Sequence, residues 1–289
     1  MWNKRLALRA LSFCLTVGLA ASLTSTRKTN PSNQQIKNPA TICQSPTTLA
    51  MSRVPSTGET TTIRVLALHG SEGNGEEFAR RLDDALRKDL ASKSIDLEIT
   101  TVDGPFPTGK GTSNYLSLLL FAKWAHCFFE GFCWWNMPTG VRSYNAEEYE
   151  GFDTSASKVR SAWESQSFDI VLGHSQGAIL IAALIAIGEY PYHPSLGYVL
   201  NGAAYPNPYM PQLKALKVRC DEAKPPPRVL CIIGQNDQIT SSSIQIELRN
   251  HLERADLAVS TIEHPGGHSF PSTQDEAIAA IANWVSQTY

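Results

Sequence analysis

Three residues spaced widely along the chain have the side chains needed for nucleophilic acyl transfer: Ser175, Asp237 and His268. A serine hydroxyl is a weak nucleophile at neutral pH and needs an adjacent base, itself oriented by a third group. Ser175 sits in Gly173-His174-Ser175-Gln176-Gly177, which reads as G-x-S-x-G. An apolar run (Phe168, Ile170, Val171, Leu172) precedes it and another, Ala178 to Ile187, follows, the strand–turn–helix setting that makes the motif informative. Gly173 and Gly177 lack the Cβ atoms that would obstruct so tight a turn. Such a turn lifts the Ser175 hydroxyl clear of a sheet and aims the Gln176 N–H at a developing oxyanion.

In this arrangement the acid and then the base follow the serine along the chain, just past the carboxyl ends of strands. Asp237 follows the apolar run Val229 to Ile233 through Gly234-Gln235-Asn236. Asp221 and Asp256 instead precede strand-like runs, at the wrong edge. The chain has seven histidines. His126, His193 and His251 fall away from strand ends, His69 is suited to shaping backbone, and the His174 side chain should point away from that of Ser175. His264 and His268 both follow the last strand-like run, in His264-Pro265-Gly266-Gly267-His268. The two glycines give the slack to swing an imidazole back over the sheet, which favours His268 over its competitor His264.

The loop His69-Gly70-Ser71-Glu72-Gly73-Asn74-Gly75 lacks the Lys-Ser/Thr ending of a phosphate-binding P-loop and the G-x-G-x-x-G spacing. Beside a nucleophilic serine it would supply the second oxyanion donor, the backbone N–H of Ser71.

These residues need a frame. Ile63 to Leu68 reads as a buried strand, and Phe78, Leu82, Leu86 and Leu90 recur every four residues, as on one face of a helix. Ile95 to Val102 alternates as a strand, and a helix is expected from about Thr154 to Glu164. Further strands are expected at Tyr198 to Leu200, Arg228 to Ile233 and Leu257 to Ile262, with helices at Ser242 to Arg254 and Thr273 to Gln287. This β–α alternation predicts an α/β fold, a mostly parallel sheet with helices on both faces.

An insertion at about 104–150 interrupts the alternation. It holds the apolar run Tyr115 to Phe121, then Trp124 and the cluster Phe128, Phe129, Phe132, Trp134 and Trp135. Lys123, His126 and Glu130 argue against a membrane-spanning helix. Two roles compete: an extra helix packed as core, or a cap whose Phe128, Phe129, Phe132, Trp134 and Trp135 line a pocket for an apolar substrate.

Composition narrows the function classes. Of 289 residues, 42% are hydrophobic and 18% charged, as in a globular protein. No acidic residue precedes Glu59, while seven of the 25 basic residues do, so the remainder carries 18 basic against 27 acidic residues and a net charge of −9. An acidic body with no basic stripe argues against a nucleic-acid partner. Lys4, Arg5 and Arg9, the uncharged run Ala10 to Leu23 and the small residues near Ala20 have the layout of a signal peptide. The Ser-, Thr-, Asn- and Pro-rich segment 24–58 also suits an organelle transit peptide. Residues 1–58 are therefore expected to be a targeting presequence for an organelle or the secretory pathway, and 59–289 the α/β domain. A start at Met51 would give a cytoplasmic form. Cys127, Cys133, Cys220 and Cys231 lack C-x-x-C zinc spacing, although Cys127 and Cys133 could pair in an oxidising compartment.

Leu68-His69-Gly70, Asp103-Gly104-Pro105, Trp134-Trp135, the Ser-Gln-Gly-Ala elbow, Gly234-x-x-Asp237 and Gly266-Gly267-His268-x-x-Pro271 together resemble the FSH family of serine hydrolases, from about residue 62 to the C-terminus. The resemblance implies an α/β-hydrolase fold and a Ser175–Asp237–His268 triad. It also implies a small-molecule carboxylic ester or thioester substrate, often with a long acyl chain, with no cofactor and no metal required. The long presequence and the aromatic-rich insertion depart from the family pattern.

Overall fold

The run Ile63 to Leu68 lies inside strand β1 (Thr61–Leu68), which is buried at every position from Val65 to Leu68. Its side chains alternate between two cores: Leu66 and Leu68 face one, Ile63, Val65 and Ala67 the other. A strand needs apolar residues at consecutive positions only when helices cover both faces of its sheet. The computed structural model describes residues 60–108, 131–218 and 225–287, which fall in one compact unit, Val54–Tyr289.

After β1 come α1 (Gly75–Ala91), β2 (Ile95–Val102), β3 (Phe106–Thr108) and β4 (Gly131–Cys133). Then follow α2 (Phe152–Glu164), β5 (Ile170–His174), α3 (Gln176–Ile187), β6 (Gly197–Asn201) and the short α4 (Met210–Ala215). The last elements are β7 (Arg228–Gly234), α5 (Ser242–Arg254), β8 (Ala258–His264) and α6 (Glu276–Ser286). Six strands form one sheet in the order β2-β1-β5-β6-β7-β8, and every neighbouring pair is parallel.

The chain builds β2 on one side of β1 and then crosses to place β5 on the other. The direction of winding therefore reverses between β1 and β5, and a ligand crevice belongs at the carboxyl ends of strands at such a point. Register brings those ends together: Leu68 pairs with Gly173, His174 with Asn201 and Gly234 with His264. The loops leaving these strands carry Ser71, Ser175, Asp237 and His268.

Helix α1 covers the face that its four-residue recurrence predicts. It buries Phe78, Leu82, Ala85, Leu86 and Leu90, and it joins α6 in the core on one side of the sheet. Asn74 caps α1, its Oδ1 accepting the Glu77 N–H at 2.8 Å. Helix α3 is apolar all round because it is enclosed: every residue from Gln176 to Ala186 is buried. Around it, α2 and α5 complete the second core through Phe152, Val159, Trp163, Leu248 and Leu252.

The insertion departs from expectation where it can be described. Strands β3 and β4 form a two-stranded antiparallel ladder of three residues each, pairing Phe106 with Cys133. No α-helix occupies 131–151; a turn closed by the Val141 N–H on Pro138 O and a 3₁₀ helix at Ser143–Asn145 lead into α2. The run Tyr115 to Phe121, with Trp124, Cys127, Phe128 and Phe129, lies outside the described residues, as does the presequence. Cys133 and Cys231 are buried and form no disulfide among the described residues. No described helix is long and apolar enough to cross a membrane.

Candidate active site

Ser175 occupies the turn between β5 and α3 with φ 50° and ψ −118°. For a non-glycine residue this is a strained conformation, one that persists only where neighbours impose it. The imposition is local and tight. A Cβ on Gly173 would lie 2.5 Å from Ala178 N, and one on Gly177 would lie 2.5 Å from the Leu68 carbonyl oxygen. Only glycine at both places lets the helix start this close to the strands. The Ser175 N–H is anchored on Asn201 O at 2.9 Å, fixing the elbow to β6.

The three residues singled out by spacing are brought together. His268 Nε2 lies 2.7 Å from Ser175 Oγ, and His268 Nδ1 lies 2.7 Å from Asp237 Oδ2. A carboxylate can only accept, so Nδ1 carries the proton and Nε2 is left to accept from the serine hydroxyl. The Asp237 side chain is wholly buried. Its Oδ1 accepts the Ile239 and Thr240 N–H groups at 2.8 Å each, and its Oδ2 also accepts Gln245 Nε2 at 3.0 Å. Gln245 is marked by no motif in the sequence. It is a buried polar residue on α5, held in place by a second bond to Thr240 O.

The competing histidine is elsewhere. His264 ends β8 and is buried, and neither ring nitrogen has a hydrogen-bond partner among the described residues. Burial lowers its pKa, against weaker opposing influences from Asp275 and Asp237. His174 points away from Ser175: its Nδ1 accepts from Asn201 Nδ2 at 2.8 Å, and its ring packs 5.1 Å from that of His268. Burial and the neighbouring His268 push its pKa down to about 3, so it is neutral. A cavity of about 320 Å³ opens beside His174, lined by Phe78, Ala85, Phe270 and Pro271, with Arg81 and Thr273 among its polar groups.

His69 serves the backbone. Its Nδ1–H donates to Gly70 O at 2.7 Å and its Nε2 accepts the Gly104 N–H at 3.0 Å. Burial lowers its pKa as well. The loop it opens passes next to the elbow, where a Cβ on Gly70 would come within 3.2 Å of Ser175 Cβ. The Ser71 amide follows directly. The Gln176 amide is one of the first N–H groups of α3, which have no partner within the helix.

Trp134 and Trp135 are placed differently from the pocket lining expected of them. Both are completely buried. Trp134 stacks on His69 at 5.1 Å, and Trp135 stacks on Tyr149 at 4.2 Å. Neither ring has surface left for a substrate; the two are core. Phe132 is half-buried on β4, its N–H donating to Gly73 O at 2.7 Å. Phe128 and Phe129 lie outside the described residues. An exposed apolar side chain close to Asp237 is instead Ile239, 42% exposed and two residues past it. Tyr205 lies three residues beyond Gly202, where a Cβ would sit 3.2 Å from the His268 ring, and packs edge-on against Tyr144.

Solved structures share this architecture. Arabidopsis thaliana SOBER1 superposes with a TM-score of 0.53 at 14% identity, covering 78% of this chain and 99% of SOBER1. Esterase PE8 superposes with a TM-score of 0.55 at 16% identity, covering 80% of this chain and 94% of that one. At such identities the likeness concerns the fold alone, and the fold is that of the α/β-hydrolases. A narrower grouping comes from sequence. The model of the family described as Serine hydrolase (FSH1) matches residues 59–280, and the chain belongs to that family. Esterase OVCA2 of Xenopus tropicalis is 27% identical over 241 residues, 78% of this chain and 93% of the frog protein. Esterase AGAP003155 of Anopheles gambiae is 27% identical over 235 residues, 77% of this chain and 76% of its own length.

Proposed function

We propose that this serine hydrolase is an esterase that cleaves carboxylic esters through an acyl-enzyme on Ser175. The observation that carries the proposal is the unbroken chain of hydrogen bonds from Ser175 Oγ through His268 to the buried Asp237, at 2.7 Å in each step. Relatives named as esterases support the same reaction.

In the first half-reaction Ser175 Oγ attacks the ester carbonyl carbon while His268 Nε2 takes the hydroxyl proton. Asp237 keeps the imidazole in the required tautomer and stabilises its positive charge. The carbonyl oxygen becomes an oxyanion stabilised by the Gln176 and Ser71 N–H groups. As the tetrahedral intermediate collapses, the bond to the leaving oxygen breaks and His268 protonates the alcohol. Water, deprotonated by His268, then attacks the acyl-enzyme and releases the carboxylic acid, returning the proton to Ser175. The same steps serve a thioester, with a thiol leaving, and thioesters belong to the proposed substrate class.

The proposed acyl group is apolar and of medium or long chain. Its support moves from the buried tryptophans to the exposed Ile239, two residues past Asp237, and the half-buried Tyr205, three residues past Gly202. Residues 1–58 are proposed to direct the protein into an organelle or the secretory pathway, supported by their lack of acidic residues and short apolar run.

A panel of p-nitrophenyl esters of increasing chain length, with an acyl-thioester and a peptide anilide, tests the function. Turnover of the esters, abolished by Ser175→Ala, is the expected result. Hydrolysis of the anilide alone, or none with folded protein, would refute it.

A further inference from the structure

The segment from Phe132 to Trp135 touches both loops that carry the oxyanion donors. On the elbow side, the Gln176 carboxamide is buried and doubly engaged: Oε1 accepts the Trp134 N–H at 2.8 Å and Nε2 donates to Trp135 O at 3.2 Å. On the other side, Trp134 Nε1–H donates to His69 O at 2.8 Å, and the Phe132 N–H donates to Gly73 O at 2.7 Å. These two bonds bracket Ser71 in sequence. Ser155 Oγ on α2 donates to Trp134 O and ties the segment to a rigid element.

The pattern is selective. Trp135 and Trp163 are as deeply buried as Trp134, yet their indole N–H groups have no partner among the described residues. The Trp134 indole is spent on the carbonyl two residues before Ser71, and its backbone N–H on the side chain of the residue that carries the other donor. A satisfied buried polar network of this kind fixes a unique geometry, because each unmade bond would leave a polar group stranded.

We infer that Trp134 and the Gln176 side chain are positioning residues that hold the Gln176 and Ser71 N–H groups at the separation a tetrahedral oxyanion requires. The inference rests on the serine esterase reading above. It gives Trp134 a role in transition-state geometry rather than in acyl binding. Preorganised donors act on charge that develops only in the transition state. Loosening them therefore lowers kcat and leaves ground-state binding in place.

The test uses the full-length protein with p-nitrophenyl butyrate as substrate and a butyl trifluoromethyl ketone, which forms an oxyanion adduct on the serine, as inhibitor. Gln176→Met removes both carboxamide bonds at nearly constant volume, and Trp134→Phe removes the indole N–H while keeping a ring in the core. Rates are normalised to the active-site concentration from burst titration, so partial misfolding does not enter. Each variant should lose roughly 10- to 100-fold in kcat, the scale of a small misplacement near the chemistry, with KM within about twofold of the parent. The inhibitor should weaken by the same factor as kcat/KM, and the double variant should lose little more than the worse single one, because both changes release one device. Trp163→Phe, which deletes an unpartnered buried N–H, should leave kcat and inhibitor affinity unchanged.

Unaltered kcat in both variants, or a loss confined to KM with inhibitor affinity intact, would overturn the positioning role alone. A parent protein with neither ester turnover nor an acylated Ser175 would overturn the esterase reading and this inference with it.

Discussion

Asp237 and His268 meet through one 2.7 Å hydrogen bond, Nδ1–H to Oδ2, on a carboxylate side chain with no exposed surface. The other donors to that carboxylate are the Ile239 and Thr240 amides and the Gln245 carboxamide. Position and orientation of the imidazole are thus inherited from a loop rather than from a single residue. Asp237→Asn should lower kcat by about 10⁴, the size known from other serine triads, since an amide can impose the wrong imidazole tautomer. Gln245→Leu keeps the amide donors and should cost about 10-fold, by loosening the carboxylate. His264→Leu should leave kcat nearly unchanged. Steady-state kinetics on one short ester separates the three; a His264 variant as damaged as His268→Ala would place the base at the wrong histidine.

Stability should fall as the pH is lowered through mildly acidic values. Burial lowers the pKa of His69, His174 and His264 in the folded protein, that of His174 to about 3 from an ordinary 6.5. Below about pH 6.5 the unfolded chain binds protons at these positions that the folded one refuses. Their contribution to stability is complete above that pH and declines downward, for His174 as far as about pH 3. His264→Leu removes one such group together with its two unpartnered nitrogens. Thermal melting from pH 8 to pH 4.5 should show the variant gaining on the parent as pH falls. A constant difference across the range would mean that His264 does not titrate on unfolding.

The frame and the juxtaposition of Ser175, His268 and Asp237 are legible because their signals are local. The strand Ile63 to Leu68, the four-residue recurrence from Phe78 to Leu90 and the loops bearing Asp237 and His268 announce themselves within a dozen residues. Even the choice between His264 and His268 turned on two intervening glycines. What the chain did not disclose is long-range. Strands β3 and β4 are three residues long, too short to show any period, and they pair across 22 intervening residues. Trp134 and Trp135 look like pocket lining by composition, but both are buried in the core, where Gln176, some forty positions away, hydrogen-bonds their backbone. Gln245 is likewise an ordinary helical glutamine until the fold brings it to Asp237.

Chain-length selectivity should depend on Ile239 and Tyr205. Each additional buried methylene contributes about 0.8 kcal/mol, so two or three carbons should raise kcat/KM roughly 10-fold or more before levelling off. Ile239→Ser and Tyr205→Ala should flatten that rise and spare short esters. The comparison is kcat/KM from acetate to decanoate. A flattened slope in Phe270→Ala instead, with Ile239→Ser unaffected, would move the chain into the cavity beside His174.

A fluorescent protein fused behind residues 1–58 should leave the cytosol, whereas a fusion beginning at Met51 should stay there. Microscopy of the two fusions decides it, and diffuse cytosolic signal from the longer one would remove the targeting role.

The central claim is that Ser175 is the nucleophile, activated by His268. Reaction of the full-length protein with a fluorophosphonate, followed by intact mass and peptide mapping, tests it most directly. The expected result is a single adduct on the peptide containing Ser175, formed far more slowly in His268→Ala and absent in Ser175→Ala. An adduct on any other residue, or folded protein that takes up no label, would contradict it.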